Sequence, residues 1–229
     1  MPTDPTTPAE ASAAAALLNR AHFTLAASNL RHLPPDEGAE VAFAGRSNSG
    51  KSSAINAITR HKALARTSRT PGRTRQLLFF ELDPGSRLVD LPGYGFAKVS
   101  RGERRHWDQL LDGYLRSRRS LTGLVLIMDI RHPLRDTDGQ LLEWCAQAGL
   151  PVRVLLSKAD KLGRGAIART LQQVRGALRG GGLVEPCVFS AHSGLGLEAT
   201  REWIGERLSL VADVPPTADY RDQTPQTGD

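Results

Sequence analysis

Residues 45–52 read Gly45-Arg46-Ser47-Asn48-Ser49-Gly50-Lys51-Ser52, a full match to G-x-x-x-x-G-K-[ST]. The motif follows the apolar run EVAFAG (40–45) and opens a helical pattern, the setting its chemistry requires. Its glycines let backbone N–H groups turn inward onto phosphate oxygens, and the helix N-terminus adds partial positive charge. Lys51 is placed to reach β- and γ-phosphates, and the Ser52 hydroxyl to bind Mg²⁺. A chance match in a chain this long has a probability on the order of one per cent at ordinary glycine usage.

A phosphate cradle does not choose a base. Ser157-Lys158-Ala159-Asp160, after a later apolar strand, does. Guanine offers two adjacent donors, N1–H and the 2-amino group, and one carboxylate accepts both. Adenine would set an acceptor against that carboxylate, and such a mismatch is rejected by roughly 10⁴–10⁵. The aliphatic stem of Lys158 can lie along the purine face. Phe189-Ser190-Ala191, after the last strand, offers backbone N–H groups to guanine O6. The expected ligands are therefore GTP and GDP.

Asp90-Leu91-Pro92-Gly93 is a D-x-x-G element: Asp90 to hold Mg²⁺ through water, and the Gly93 amide to sense the γ-phosphate. Between it and the phosphate loop runs RHKALARTSRTPGRTR (60–75), which has no acidic residue. One threonine there should complete the Mg²⁺ shell, and spacing leaves Thr67, Thr70 and Thr74 as candidates. Many GTPases carry a water-orienting glutamine just after D-x-x-G. Here Tyr94 follows, and a phenol with an ordinary pKa near 10 is a poor base. Tyr94 reads as a packing or switch-anchoring aromatic, and intrinsic hydrolysis should be slow.

Short apolar runs at 40–45, 77–82, 87–91, 121–130, 151–157 and 185–190 alternate with helical patterns near 51–59, 103–118, 137–148, 164–179 and 197–210. Alternation of this kind builds βαβ units. The step from 82 to 87 through Asp83-Pro84-Gly85-Ser86 is a hairpin, so one strand should run antiparallel. The expectation is a three-layer α/β G domain, with a mostly parallel six-stranded sheet and helices on both faces. Its ligand loops should gather at the carboxyl ends of the strands. The domain is expected over 23–212, between disordered tails at 1–22 and 213–229.

At 229 residues and 40% hydrophobic content, the chain suits one such domain. Its net charge of +6 hints at a polyanionic partner. Cys145 and Cys187 fit neither a disulfide framework nor a zinc site, and the six histidines show no metal-ligand spacing. No run is long enough to span a membrane, and Asp4 and Glu10 stand where a signal peptide would be basic. A cytoplasmic monomer is expected.

Together, GRSNSGKSS, RTPGRTRQ, DLPGYGFAKV and SKAD resemble the EngB (YihA/YsxC) family of bacterial translation-factor-like GTPases, over about Phe23 to Val211. The resemblance selects Thr74 as the Mg²⁺ threonine, beside Ser52 and Asp90, and draws Gly72, Arg73, Arg75 and Gln76 into the nucleotide site. Ser157 stands where most members have threonine. Arg75 intervenes before Gln76, where the family has glutamine directly after the threonine. In related GTPases an asparagine at the Asn48 position helps seat K⁺; a loop-stabilising amide is the alternative. Catalytic work would then rest on Lys51, Thr74 and Asn48. The resemblance also implies action on the large ribosomal subunit or its precursor, through ribosomal RNA, and a need for the protein in cell division and septation. Two competing readings are a P-loop ATPase or small-molecule kinase, and an RNA-binding module in which turnover is incidental. The kinase would need an acceptor site and usually a lid, and no segment is long enough to supply them.

Overall fold

Apolar residues recur at both parities along the central runs, so those strands must be covered on both faces. The computed structural model describes residues 8–65, 76–94, 101–178 and 183–209, with backbone alone for 8–12 and 101–108. In chain order the elements are α1 (Pro8–Leu18), β1 (His22–Ala27), β2 (Ala39–Gly45), α2 (Lys51–Ile58), β3 (Leu77–Asp83), β4 (Ser86–Asp90) and α3 (Arg101–Ser117). They continue as β5 (Leu121–Asp129), α4 (Asp136–Gln147), β6 (Val152–Ser157), α5 (Arg164–Ala177), β7 (Val184–Val188) and α6 (Leu197–Ser209).

The strands form a seven-stranded sheet in the order β1-β3-β4-β2-β5-β6-β7. Pairing is antiparallel at β1–β3 and β3–β4 and parallel elsewhere, so β3 alone runs against the rest. The turn at Asp83 to Ser86 reverses the chain as expected. Alternate residues of β2 split cleanly between faces. Ala42 and Ala44 join Tyr114, Leu142 and Val174 under α3, α4 and α5. Val41 and Phe43 join Leu18, Ile55 and Ile204 under α1, α2 and α6.

Two expectations need correction. The sheet has seven strands, not six, because HFTLAA forms β1 at the edge, paired with β3 from His22↔Glu81 to Ala27↔Leu77. The segment before residue 23 is not simply a tail either. From Pro8 it is helical; Leu18 is fully buried, and Ala14 meets α6 so closely that a Cβ on Gly205 would stand 2.7 Å from it. The C-terminal tail at 213–229 lies outside the described residues.

Two buried arginines fix the frame. Arg118 and the Tyr114 hydroxyl donate to the Glu40 carboxylate at 2.5–2.9 Å, clamping α3 to the start of β2. Arg201, 1% exposed, donates to the carbonyls of Ile58 and Ala57 at 2.9 and 2.8 Å. That satisfies two orphan carbonyls at the C-terminus of α2. Both contacts hold elements whose opposite ends carry the site.

Candidate functional site

Because β2, β4, β5, β6 and β7 run in one direction, the loops after them emerge at one edge of the sheet. The 45–52 loop leaves β2 and enters α2 at Lys51. Gly50 lies at φ +95°, which a side chain rarely adopts, and a Cβ at Gly45 would stand 2.7 Å from the Ile127 carbonyl. Asn48 and Lys158 also take left-handed backbone, at φ 62° and 58°. Strain of this sort collects at binding loops.

Lys51 Nζ is bound to the Asp90 carboxylate, joining the phosphate loop to D-x-x-G. The Asp90 side chain is only 8% exposed, and burial raises its pKa against the opposing pull of Lys51. A carboxylate and a serine hydroxyl, such as Asp90 and Ser52 would supply, are hard oxygen donors of the kind that suits Mg²⁺. Leu91, Pro92 and Gly93 bring the chain back against the phosphate loop. The Tyr94 amide donates to the Gly45 carbonyl at 3.4 Å, and the Ser47 amide to the Tyr94 carbonyl at 3.2 Å. A Cβ at Gly93 would lie 3.6 Å from the Ser47 nitrogen, so backbones meet here with little between them.

The Ser157–Asp160 turn sits on the same loop. Ser157 Oγ donates to the Ser49 carbonyl and Lys158 Nζ to the Asn48 carbonyl, both at 2.5 Å. Ser190 Oγ donates to Asp160 Oδ1 at 2.7 Å, and Lys161 Nζ stands 3.2 Å from Oδ2. The Ser190 bond chiefly, with Lys161, outweighs desolvation and holds the Asp160 carboxyl below its ordinary pKa. It is ionised at neutral pH, as an acceptor of two donors must be. A cavity of about 930 Å³ opens between Gly50, Lys158, Asp160 and Ala191 on one side and Asn56 and His61 on the other. That volume holds a nucleoside.

The expectation that Phe189, Ser190 and Ala191 all offer amides narrows to one residue. Phe189 N–H donates to the Leu156 carbonyl and Ser190 N–H to that of Leu195, each at 3.0 Å. Ala191 N–H is the amide not so engaged among the described residues. Arg46 is half-buried and bridges Tyr94 through its backbone, and Gln76 is exposed just before β3. Gly72, Arg73, Thr74 and Arg75, with the alternatives Thr67 and Thr70, lie outside the described residues.

Sequence reasoning missed Asp129, the last residue of β5. Its Oδ2 lies 3.0 Å from Lys158 Nζ and 2.7 Å from Arg131, so it steers the lysine that flanks the cavity. Hydrogen bonds from Arg131 foremost, and then Lys158, hold its carboxyl far below the ordinary range. The available signal was positional: an acidic residue ending a buried strand beside the phosphate loop. Tyr94 is a packed aromatic, buried in the core with its hydroxyl on Asp138. Burial first, and Asp138 second, push its phenol far above its ordinary pKa, which removes it as a base.

Comparison with known proteins fits this geometry. A family model described as "50S ribosome-binding GTPase" matches residues 40–158. The probable GTP-binding protein EngB of Stenotrophomonas maltophilia (strain K279a) is 55% identical over 196 residues, covering 85% of this chain and 98% of that protein. Its namesake from Xanthomonas oryzae pv. oryzae (strain PXO99A) is 52% identical over 206 residues, covering 89% and 99%. A crystal structure of a probable GTP-binding protein engB superposes with a TM-score of 0.59 at 22% identity, over 75% of this chain and all of that one; it supports the fold. A phosphate loop, a D-x-x-G segment packed on it and relatives at this identity over nearly their whole length agree: the chain belongs to the EngB family of GTP-binding proteins, P-loop GTPases that hydrolyse GTP.

Proposed function

We propose that this protein is a slow, Mg²⁺-dependent GTP switch that acts as a monomer in the cytoplasm on the assembling large ribosomal subunit. We propose further that normal cell division and septation depend on it. The partner is supported by the description of the matching family model and by the uncompensated basic stretch at 60–75. The link to division rests on family resemblance alone. A domain spanning 23–212, with α1 docked on it, is the working unit.

The observation that carries the switch is the backbone pairing of Tyr94 with Gly45 and Ser47. It fastens the D-x-x-G segment to the phosphate loop through two long hydrogen bonds. A γ-phosphate held by the same loop competes for the Ser47 amide and offers the Gly93 amide a new acceptor. Losing the phosphate restores the pairing. The tether is thus bistable.

Ser52, Asp90 and Thr74 would hold Mg²⁺, which neutralises charge on the phosphates when bound. Lys51, released from Asp90, turns to the phosphate oxygens. The Asn48 side-chain amide is exposed and makes no hydrogen bond among the described residues, which favours a K⁺-seating role over a loop-stabilising one. With no glutamine after Gly93 and the Tyr94 hydroxyl committed to Asp138, no side chain there among the described residues is free to orient the attacking water, which supports slow turnover.

The test is binding to purified large-subunit particles. Affinity should be higher with a GTP analogue than with GDP and should fall steeply with salt. Reversing Arg101, Arg104 and Arg105 to Glu should cut particle binding and leave GTP affinity nearly unchanged. Particle binding indifferent to nucleotide would sink the switch reading.

A further inference from the structure

We propose that the outward face of α5 is a docking surface for double-stranded RNA. This rests on the reading that the protein's partner is ribosomal RNA, and it names a second contact away from the switches. From Lys161 to Val184 the chain contains five cations and no acidic residue, Glu185 being the first. Within α5, Arg164, Arg169 and Arg175 are all exposed. Elsewhere, exposed Arg20, Arg116, Arg119 and Arg131 pair with Asp83, Asp112, Asp36 and Asp129, while Arg31, Arg60 and Arg135 stand scattered without an ion pair among the described residues. The three on α5 have no such partner among the described residues. Their guanidinium groups are left to water or to a ligand.

Their arrangement is linear. Arg164 and Arg175 are about three helical turns apart, so they stand on one stripe roughly 16 Å apart along the axis. Arg169 lies about 140° round from Arg164, on the other margin of the exposed face. The strip between these margins is low. Gly165, Ala168 and Gly176 make it so, with Gln172 the one flexible polar side chain that rises between them. Glycine weakens a helix and is kept where something must come close. Nothing inside the molecule supplies that reason. A Cβ on Gly176 would meet no atom within 4 Å, and one on Gly165 only the end of Arg169, at 3.8 Å. A low floor between arginine margins fits a phosphate backbone lying along the helix. Arginine binds phosphate in a two-pronged geometry.

The face chooses among polyanions. A single strand would be gripped by stacking aromatics, and α5 contains none. A protein partner would need an apolar anchor at the centre, and the large apolar side chains of α5 (Ile167, Leu171, Val174) pack against the sheet instead. A duplex read through its backbone needs neither.

The experiment uses the full chain and a labelled RNA duplex, with affinity measured by fluorescence anisotropy across a salt series, in GDP and in a GTP analogue. Arg164→Glu, Arg169→Glu and Arg175→Glu together should weaken duplex binding on the order of 10²-fold at low salt and reduce the salt slope by roughly 3. GTP affinity should not change. Gly176→Gln should raise thermal stability yet lower duplex affinity, an outcome that misfolding cannot mimic. Unchanged affinity and slope in the triple variant would overturn the α5 assignment while leaving the ribosomal reading intact. Failure of the unmodified protein to bind the duplex in either nucleotide state would overturn both. Loss of poly-L-glutamate binding in the triple variant, with duplex binding untouched, would assign the face to an acidic protein and also overturn the proposal.

Discussion

The Tyr94 hydroxyl donates a 2.8 Å hydrogen bond to the Asp138 carboxylate, joining the residue after D-x-x-G to the first turn of α4. Asp138 is itself 1% exposed and accepts the Arg135 amide at 3.0 Å, closing the cap of that helix. Movement of the D-x-x-G segment therefore acts on the start of α4, where Arg135 and Asp136 are exposed.

Tyr94→Phe keeps the ring and removes the donor. It leaves a buried carboxylate short of a partner, at a cost of about 1–3 kcal/mol. Chemical denaturation should show a lower midpoint with an unchanged slope. An unaltered midpoint would mean that Asp138 finds water instead.

Asp160→Asn replaces an acceptor of two donors with an amide that confronts guanine N1–H. GTP affinity should fall on the order of 10³-fold or more, with no matching loss for ATP. Equilibrium binding of both nucleotides decides it. Unmodified protein binding ATP within about tenfold of GTP would contradict the base-reading role.

If Asn48 helps seat a monovalent cation, GTP turnover should rise several-fold when K⁺ replaces Na⁺ at equal ionic strength. Asn48→Ala should erase the difference. Equal rates in the two salts would return Asn48 to the loop.

The carboxyls of Asp129 and Asp160 titrate below their ordinary value near 3.8 in the folded protein. Their stabilisation is present above that value and drains away as pH falls through the folded values. Thermal stability should therefore decline below about pH 4. Asp129→Asn should flatten part of that decline. A melting series from neutral to acid pH measures it.

Arg201→Met keeps much of the volume but strips the carbonyls of Ala57 and Ile58 of their donors. A loss of roughly 2–4 kcal/mol is expected. Because the arginine caps α2 at the end away from the phosphates, GDP affinity should fall only modestly. Calorimetric melting with and without GDP separates the two effects.

The parallel strands and five of the helices were legible to within a residue or two, because apolar runs alternate with helical stretches and turn residues or motif loops mark their ends. β1 was not. HFTLAA is short, half exposed and without a turn signal, and it becomes a strand only by meeting β3 more than fifty residues on. α1 was missed for the opposite reason. EASAAAALL is nearly uniform in polarity, so no period marks its buried side. In the site, the places of the glycines, Lys51, Asp90 and Asp160 were readable because local spacing within short motifs sets them. Asp129 and Asp138 were not, since each acts on a side chain tens of residues away. Locally, Asp138 looks only like a helix-capping residue.

The close seat of Ala14 on Gly205 bears on how this protein can be handled. Leu18 and Ala21 share one apolar cluster with Trp203, Ile204 and Leu208. A shortened version starting at Phe23, the natural cut if residues 1–22 are taken as dispensable, would bare that side of α6 to water. An uncovered apolar strip of this kind invites self-association. Trimming for crystallisation or labelling should stop ahead of Pro8.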